Sequence, residues 1–164
     1  MKLYFLRHGL ADHPVWTGPD SERPLTKEGK RIMKLEGRGL ARLGVKPDLI
    51  LHSPLVRCRE TAEMVAKELK AGDRLREEHR LSPGFNFALL TELLLEHAQA
   101  GELMLVGHAP DCNQAIEPLI GGGRLKFGKG SIACVKLDER GPRPGLSAVA
   151  QAGGTLLWLL TDDA

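Results

Sequence analysis

Three short stretches carry residues suited to handling a phosphoryl group: Arg7-His8-Gly9, Ser53-Pro54 followed by Arg57, and Gly107-His108. A guanidinium stays charged at every relevant pH and offers paired donors to phosphate oxygens. Arginines close to a histidine disfavour its imidazolium form, which keeps the ring neutral and nucleophilic near pH 7. A second histidine, if protonated, can donate to an equatorial oxygen as negative charge builds there. The first turn of a helix after Ser53 would add free backbone N–H groups and positive dipole at the same place.

Each stretch ends an apolar run that reads as a strand. Residues 2–6 form a buried first strand, residues 49–51 a short second one, and residues 102–106 a third. In open α/β sheets, ligands bind at the carboxyl ends of the strands. If these three are parallel neighbours, two histidines and two arginines converge on one edge of the sheet.

The remaining elements follow from caps and periodicity. Thr26 caps a helix with Glu28 in its first turn, an imperfect apolar face of Ile32, Leu35, Leu40 and Leu43, and Gly44 as its stop. Ser53 caps a second helix with Pro54 in its first position, and Leu55, Cys58, Ala62, Val65 and Leu69 face inward. The charged run 73–80 reads as a solvated face, followed by a turn at Ser82-Pro83-Gly84. Helices are expected over 87–98 and 111–120, and closing strands over 132–137 and 155–160. A Pro/Gly-rich loop over 140–154 joins those strands. Strands alternating with helices predict a single α/β domain over 1–164, a mainly parallel sheet with a closing antiparallel strand.

Composition narrows the function classes. The 164 residues are 42% hydrophobic and 27% charged, ordinary for a folded domain. A net charge of +2 and 4% aromatic residues give no case for nucleic-acid binding. No apolar run is long enough for a membrane span, and the strand that follows Met1 so closely leads to the expectation of no signal segment. Cys58, Cys112 and Cys134 lack C-x-x-C spacing, so reduced thiols in the cytoplasm are the expectation. The six histidines show no metal-ligand spacing, and a monomer is the default.

In order along the chain, Arg7-His8-Gly9, Arg23-Pro24-Leu25-Thr26 with Gly29, Ser53-Pro54 with Arg57 and Thr61, Gly107-His108 with Pro110, and Ser131-Ile132-Ala133 resemble the histidine phosphatase superfamily. Within it, the set is most similar to bacterial phosphohistidine phosphatases of the SixA type. The resemblance implies a three-layer α/β/α, phosphoglycerate mutase-like fold. It implies that His8 takes the phosphoryl group as a transient phosphohistidine, and that Arg7, Arg57 and His108 bind its oxygens. Gly9 would orient the His8 ring through its carbonyl. Water then hydrolyses the intermediate, with no metal and no cofactor.

Two departures bear on the substrate. Leu10-Ala11 stands where many members carry Glu-Thr, which removes a hydroxyl near the pocket. Many monoester phosphatases and mutases also place a carboxylic acid between the second arginine and the second histidine. Glu77 and Glu78 are the nearest candidates. An alkoxide is a strong base and needs that acid, whereas imidazolium has a pKa of about 6.5 and its imidazole leaves far more easily. A site without the acid therefore favours P–N bonds. The stretch between Arg57 and His108 is short for a large lid, which suits a protein-borne phosphohistidine.

Blander roles stand beside these. Arg23 either touches substrate or pins its loop. Ser53 reads as a cap rather than a nucleophile, since no G-x-S-x-G surrounds it. His52 reads as a pocket wall, and His13, His79 and His97 as solvated. Cys58 belongs to the core, and Trp16 either lines substrate or anchors its loop. The leading expectation is a phosphohistidine phosphatase acting on phosphorelay proteins. The alternatives are a phosphatase for small phosphomonoesters and a module that recognises phosphorylated partners without turnover.

Overall fold

Residues 3–6 are at most 2% exposed although they are consecutive in one strand. Both faces of that strand must therefore be covered, as expected at the centre of a parallel sheet. The computed structural model describes residues 1–138 and 153–161. Its sheet has six strands: β1 (Lys2–Arg7), β2 (Leu49–His52), β3 (Leu75–Glu77), β4 (Glu102–Gly107), β5 (Ile132–Leu137) and β6 (Gly154–Leu160). They lie in the order β3-β2-β4-β1-β5-β6. The first four in that order pair in parallel, β5 runs antiparallel to β1, and β6 pairs antiparallel with β5.

Four helices cover the sheet: α1 (Lys27–Arg42), α2 (Val56–Glu68), α3 (Phe87–Glu96) and α4 (Asp111–Leu119). Alternate strand residues serve opposite layers. Leu3, Phe5, Leu103 and Leu105 pack with Leu90 and Leu93 of α3 and Ala115 and Ile116 of α4. Tyr4, Leu6, Met104 and Val106 pack with Leu40 of α1 and Cys58, Ala62 and Val65 of α2. The expected three-layer α/β/α arrangement results. No helix among the described residues is long and apolar enough to cross a membrane.

Thr26 caps α1 as expected, its hydroxyl accepting the N–H of Gly29 at 2.9 Å. The buried stripe of α1 differs from the expected one. It consists of Gly29, Met33, Gly37 and Leu40, while Leu35 and Leu43 are 50% and 59% exposed. The reason is close approach. A Cβ on Gly29 would lie 2.2 Å from the Leu10 carbonyl oxygen, and one on Gly37 would lie 3.0 Å from the Cβ of Glu68 in α2. A stripe built on glycine carries no hydrophobic signal.

The start of α2 also differs. Ser53 is not its cap, because its backbone N–H continues the sheet by donating to Val106 at 3.0 Å. The cap position falls to Leu55, without a side-chain hydrogen bond. The charged run 73–80 contains β3, three residues pairing with β2 by backbone alone. A strand that short has no alternation to read, and its exposed Arg76 and Glu77 suit a sheet edge. Helix α3 ends at Glu96, two residues before the expected end. Most of the loop expected over 140–154 lies outside the described residues.

Candidate active site

Because β2, β4 and β1 are adjacent and parallel, their carboxyl ends lie side by side. Register pairs Arg7 with Gly107 and His52 with Val106, so the segments following each strand emerge on one edge. His8, Arg57 and His108 are 7%, 5% and 5% exposed. The rings of His8 and His108 stand 5.5 Å apart between centroids. The convergence expected from sequence is present.

His8 is oriented by its neighbour: Nδ1–H donates to the Gly9 carbonyl at 2.8 Å. A carbonyl can only accept, so the proton of the neutral ring sits on Nδ1 and the lone pair on Nε2. Burial, followed by the Arg57 and Arg7 charges, pushes the His8 pKa down to about 4 against the pull of the Gly9 hydrogen bond. The ring is neutral and nucleophilic at neutral pH.

Gly9 itself is held from two sides. Its N–H donates to the Thr61 hydroxyl at 3.1 Å, and a Cβ on it would lie 2.8 Å from the Met33 Cγ.

Arg7 donates from Nη1 to the Phe127 carbonyl at 2.9 Å, and Arg57 from Nη1 to the Asp20 carbonyl at 2.9 Å. The Nε of each arginine is buried with no hydrogen-bond partner. Two buried guanidinium donors without acceptors therefore lie beside a neutral histidine, an arrangement chemically suited to an anion.

Protonation, the condition under which the second histidine was to donate, is disfavoured by its surroundings. Burial, then His8 and Arg57, push the His108 pKa down to about 3. It therefore donates as neutral imidazole rather than as imidazolium. Its Nε2 is hydrogen-bonded to Ser53 Oγ at 2.9 Å, so Ser53 serves the site instead of capping α2. Cys58 lies beside that ring, with Sγ 3.5 Å from Nε2, but burial pushes its thiol up to about 12 and keeps it protonated.

Arg23 pins its loop and also reaches the site through a carboxylate. It donates to the Ala11 carbonyl, and its Nε and Nη2 donate to Asp20 Oδ1 at 3.1 and 2.9 Å. The other oxygen, Oδ2, lies 3.1 Å from Arg57 Nη2. Sequence reasoning missed Asp20, which stands in a polar loop with no periodicity around it. Its spacing of three residues before Arg23 was the available signal.

Glu77 pairs with His79 at 3.3 Å, and Glu78 is engaged by Arg80 at 2.8 Å, with its carboxyl held low by that hydrogen bond. Trp16 is 38% exposed, and its Nε1–H donates to the Pro19 carbonyl at 3.1 Å. Together with Asp12, His13, Pro14, Asp20 and Arg23 it lines an open cavity of about 420 Å³. A second cavity, of about 490 Å³, lies between α1 and the β5–β6 end and contains none of these groups. Among the described residues, no group of three or more His, Cys, Asp or Glu side chains is arranged to hold a metal ion.

The profile of the histidine phosphatase superfamily (branch 1) matches residues 3–82. An uncharacterized protein of Picosynechococcus sp. is 36% identical over 124 residues, 74% of each chain. The chain belongs to the histidine phosphatase superfamily. A further relative is phosphohistidine phosphatase SixA of Escherichia coli, 28% identical over 144 residues that cover 86% of this chain and 88% of SixA. Among solved structures, the protein histidine phosphatase SixA complexed with tungstate superimposes with a TM-score of 0.82 at 25% identity, covering 98% and 97% of the two chains. Within this superfamily the sheet order and layers are those of the phosphoglycerate mutase-like fold.

Proposed function

We propose that this histidine phosphatase removes phosphate from phosphohistidine on proteins, with His8 as nucleophile. The observation that carries the reading is the His8 Nδ1–H hydrogen bond to the Gly9 carbonyl, which aims the Nε2 lone pair away from Gly9 while two buried arginine Nε donors lack acceptors.

In the first step, His8 Nε2 attacks phosphorus, and the substrate's P–N bond breaks with its electron pair on the departing imidazole nitrogen. Arg7, Arg57 and His108 donate to the phosphoryl oxygens. The phosphorylated His8 ring keeps its Nδ1 proton on Gly9 and is itself a good leaving group. Water then attacks phosphorus, the His8 P–N bond returns its electron pair to Nε2, and the released phosphate retains the water oxygen. The surplus water proton passes to phosphate or solvent.

The engagement of Glu78 by Arg80, which holds its carboxyl low, supports P–N over alkyl P–O bonds, since a carboxyl so held is a poor proton donor to an alkoxide. The relation to SixA supports the same substrate.

The test compares wild type and His8→Ala on a phosphohistidine-bearing protein and on a panel of phosphomonoesters. Rapid His8-dependent loss of phosphohistidine with slow monoester turnover is the expected result. A preference for one monoester would overturn the assignment.

A further inference from the structure

The proposed reaction moves phosphorus between two imidazole rings, and only one of them has a visible proton holder. On the enzyme's side, the Gly9 carbonyl accepts the Nδ1–H of His8 at 2.8 Å and so keeps the phosphorylated ring protonated. The substrate ring needs the same service from the opposite nitrogen, because phosphoimidazole leaves as neutral imidazole only when its distal nitrogen carries a proton. An unperturbed imidazolium has a pKa of about 6.5, so without help that proton is largely lost above neutrality.

Two carboxylates line the mouth of the site: Asp12, which is paired with Lys129, and Asp20, which is the one that contacts Arg57. Asp20 Oδ2 lies 3.1 Å from Arg57 Nη2, while Oδ1 takes two donors from Arg23 at 3.1 and 2.9 Å. The side chain is nevertheless 66% exposed, so it remains accessible to an incoming group. It lines the cavity of about 420 Å³ together with the exposed Trp16 ring. That aromatic face is fixed by the Nε1–H bond to Pro19 and suits a planar or cationic ring. Hydrogen bonding by Arg23, with the Arg57 charge, holds the Asp20 carboxyl below the usual carboxylate range. It is therefore an acceptor near neutrality and a poor proton donor.

We propose that Asp20, with Trp16 beside it, is the subsite for the leaving imidazole, accepting the distal N–H of the substrate ring and so selecting P–N over P–O substrates. This rests on the phosphohistidine reading above. The proton stays on the substrate ring throughout, Asp20 stays ionised, and the product departs as neutral imidazole. An alkyl or aryl phosphate has no N–H to offer. Its anionic leaving group meets a fixed negative charge at the same position, which disfavours it.

The experiment measures kcat/KM for a phosphohistidine peptide and for p-nitrophenyl phosphate with wild type, Asp20→Asn and Asp20→Glu. Asp20→Asn is expected to lower the ratio of the two at least tenfold. It should also move the alkaline limb of the phosphohistidine profile to lower pH, because the substrate ring loses its stabilised proton. Asp20→Glu, which keeps the charge, should retain most of the ratio, and thermal melts check that each variant is folded. An unchanged ratio, even with both rates reduced together, would show that Asp20 only positions Arg23 and Arg57, and would overturn the inference while leaving the phosphohistidine reading intact. Absence of His8-dependent phosphohistidine turnover in the wild type would overturn both.

Discussion

The Thr61 hydroxyl accepts the backbone N–H of Gly9 at 3.1 Å, tying the residue that orients His8 to the second turn of α2. The same hydroxyl donates to the Arg57 carbonyl at 2.7 Å. One fully buried side chain thus connects the loop of His8 to the helix that carries Arg57.

Replacing Thr61 with valine keeps the shape and removes the acceptor. The buried Gly9 N–H is then unsatisfied, at a cost of about 1–3 kcal/mol. Urea unfolding is expected to show that loss, and kcat should fall because the Gly9 carbonyl no longer holds the His8 ring in place.

Arg57→Lys keeps the positive charge but loses the planar fork. With Arg57 Nη1 and Nη2 on Asp20 and Nε unpartnered, no single ammonium can replace all three donors. A fall in kcat/KM of roughly 10²- to 10³-fold is expected, within the range for loss of one charge-stabilising donor. Steady-state kinetics check this, with circular dichroism confirming the fold.

Stability should depend on pH through the two site histidines. His8 and His108 titrate near 4 and 3 when folded and near 6.5 when unfolded. Between those values the unfolded chain binds more protons, so stability rises with pH and is fully present above about 7. As pH falls from 6.5 towards 4 it declines, each histidine contributing at most about 1.4 kcal/mol per pH unit. Melting curves across pH 4–8 test this. His8→Asn should lose less stability over the same interval than wild type.

Two glycines of α1 should respond in opposite directions to alanine. At Gly29 the new Cβ would meet the Leu10 carbonyl oxygen at 2.2 Å, so the helix or the His8 loop must shift, and the cost is about 1–3 kcal/mol. At Gly39 nothing lies within 4 Å, and alanine is expected to stabilise by about 0.5–1 kcal/mol. Thermal melts of the two variants decide both.

What the sequence could reveal was set by how local each signal was. The strands ending at Arg7, His52 and Gly107 were readable because unbroken apolar runs and adjacent polar residues mark them, and their convergence followed from one rule about parallel sheets. The glycine stripe of α1, the three-residue β3 and the true start of α2 were not readable. Each depends on what a distant segment does: α2 pressing on Gly37, β2 pairing with Leu75–Glu77, and β4 holding Ser53. Asp20 was hidden for the same reason, since only the folded loop brings its carboxylate to Arg57, 37 residues away in sequence.

Strand β4 sits between β1 and β2, although it is made after both. A growing chain that has emerged only as far as α3 therefore has two finished ends of the catalytic rim and no spacer to set the distance between them. Residues 102–108 close that distance and deliver His108 in the same act. Residues 127–131, which hold Arg7 and His8 from the other side, come later still, so turnover of a quick phosphoryl donor would time the joint arrival of β4 and that segment during synthesis or refolding.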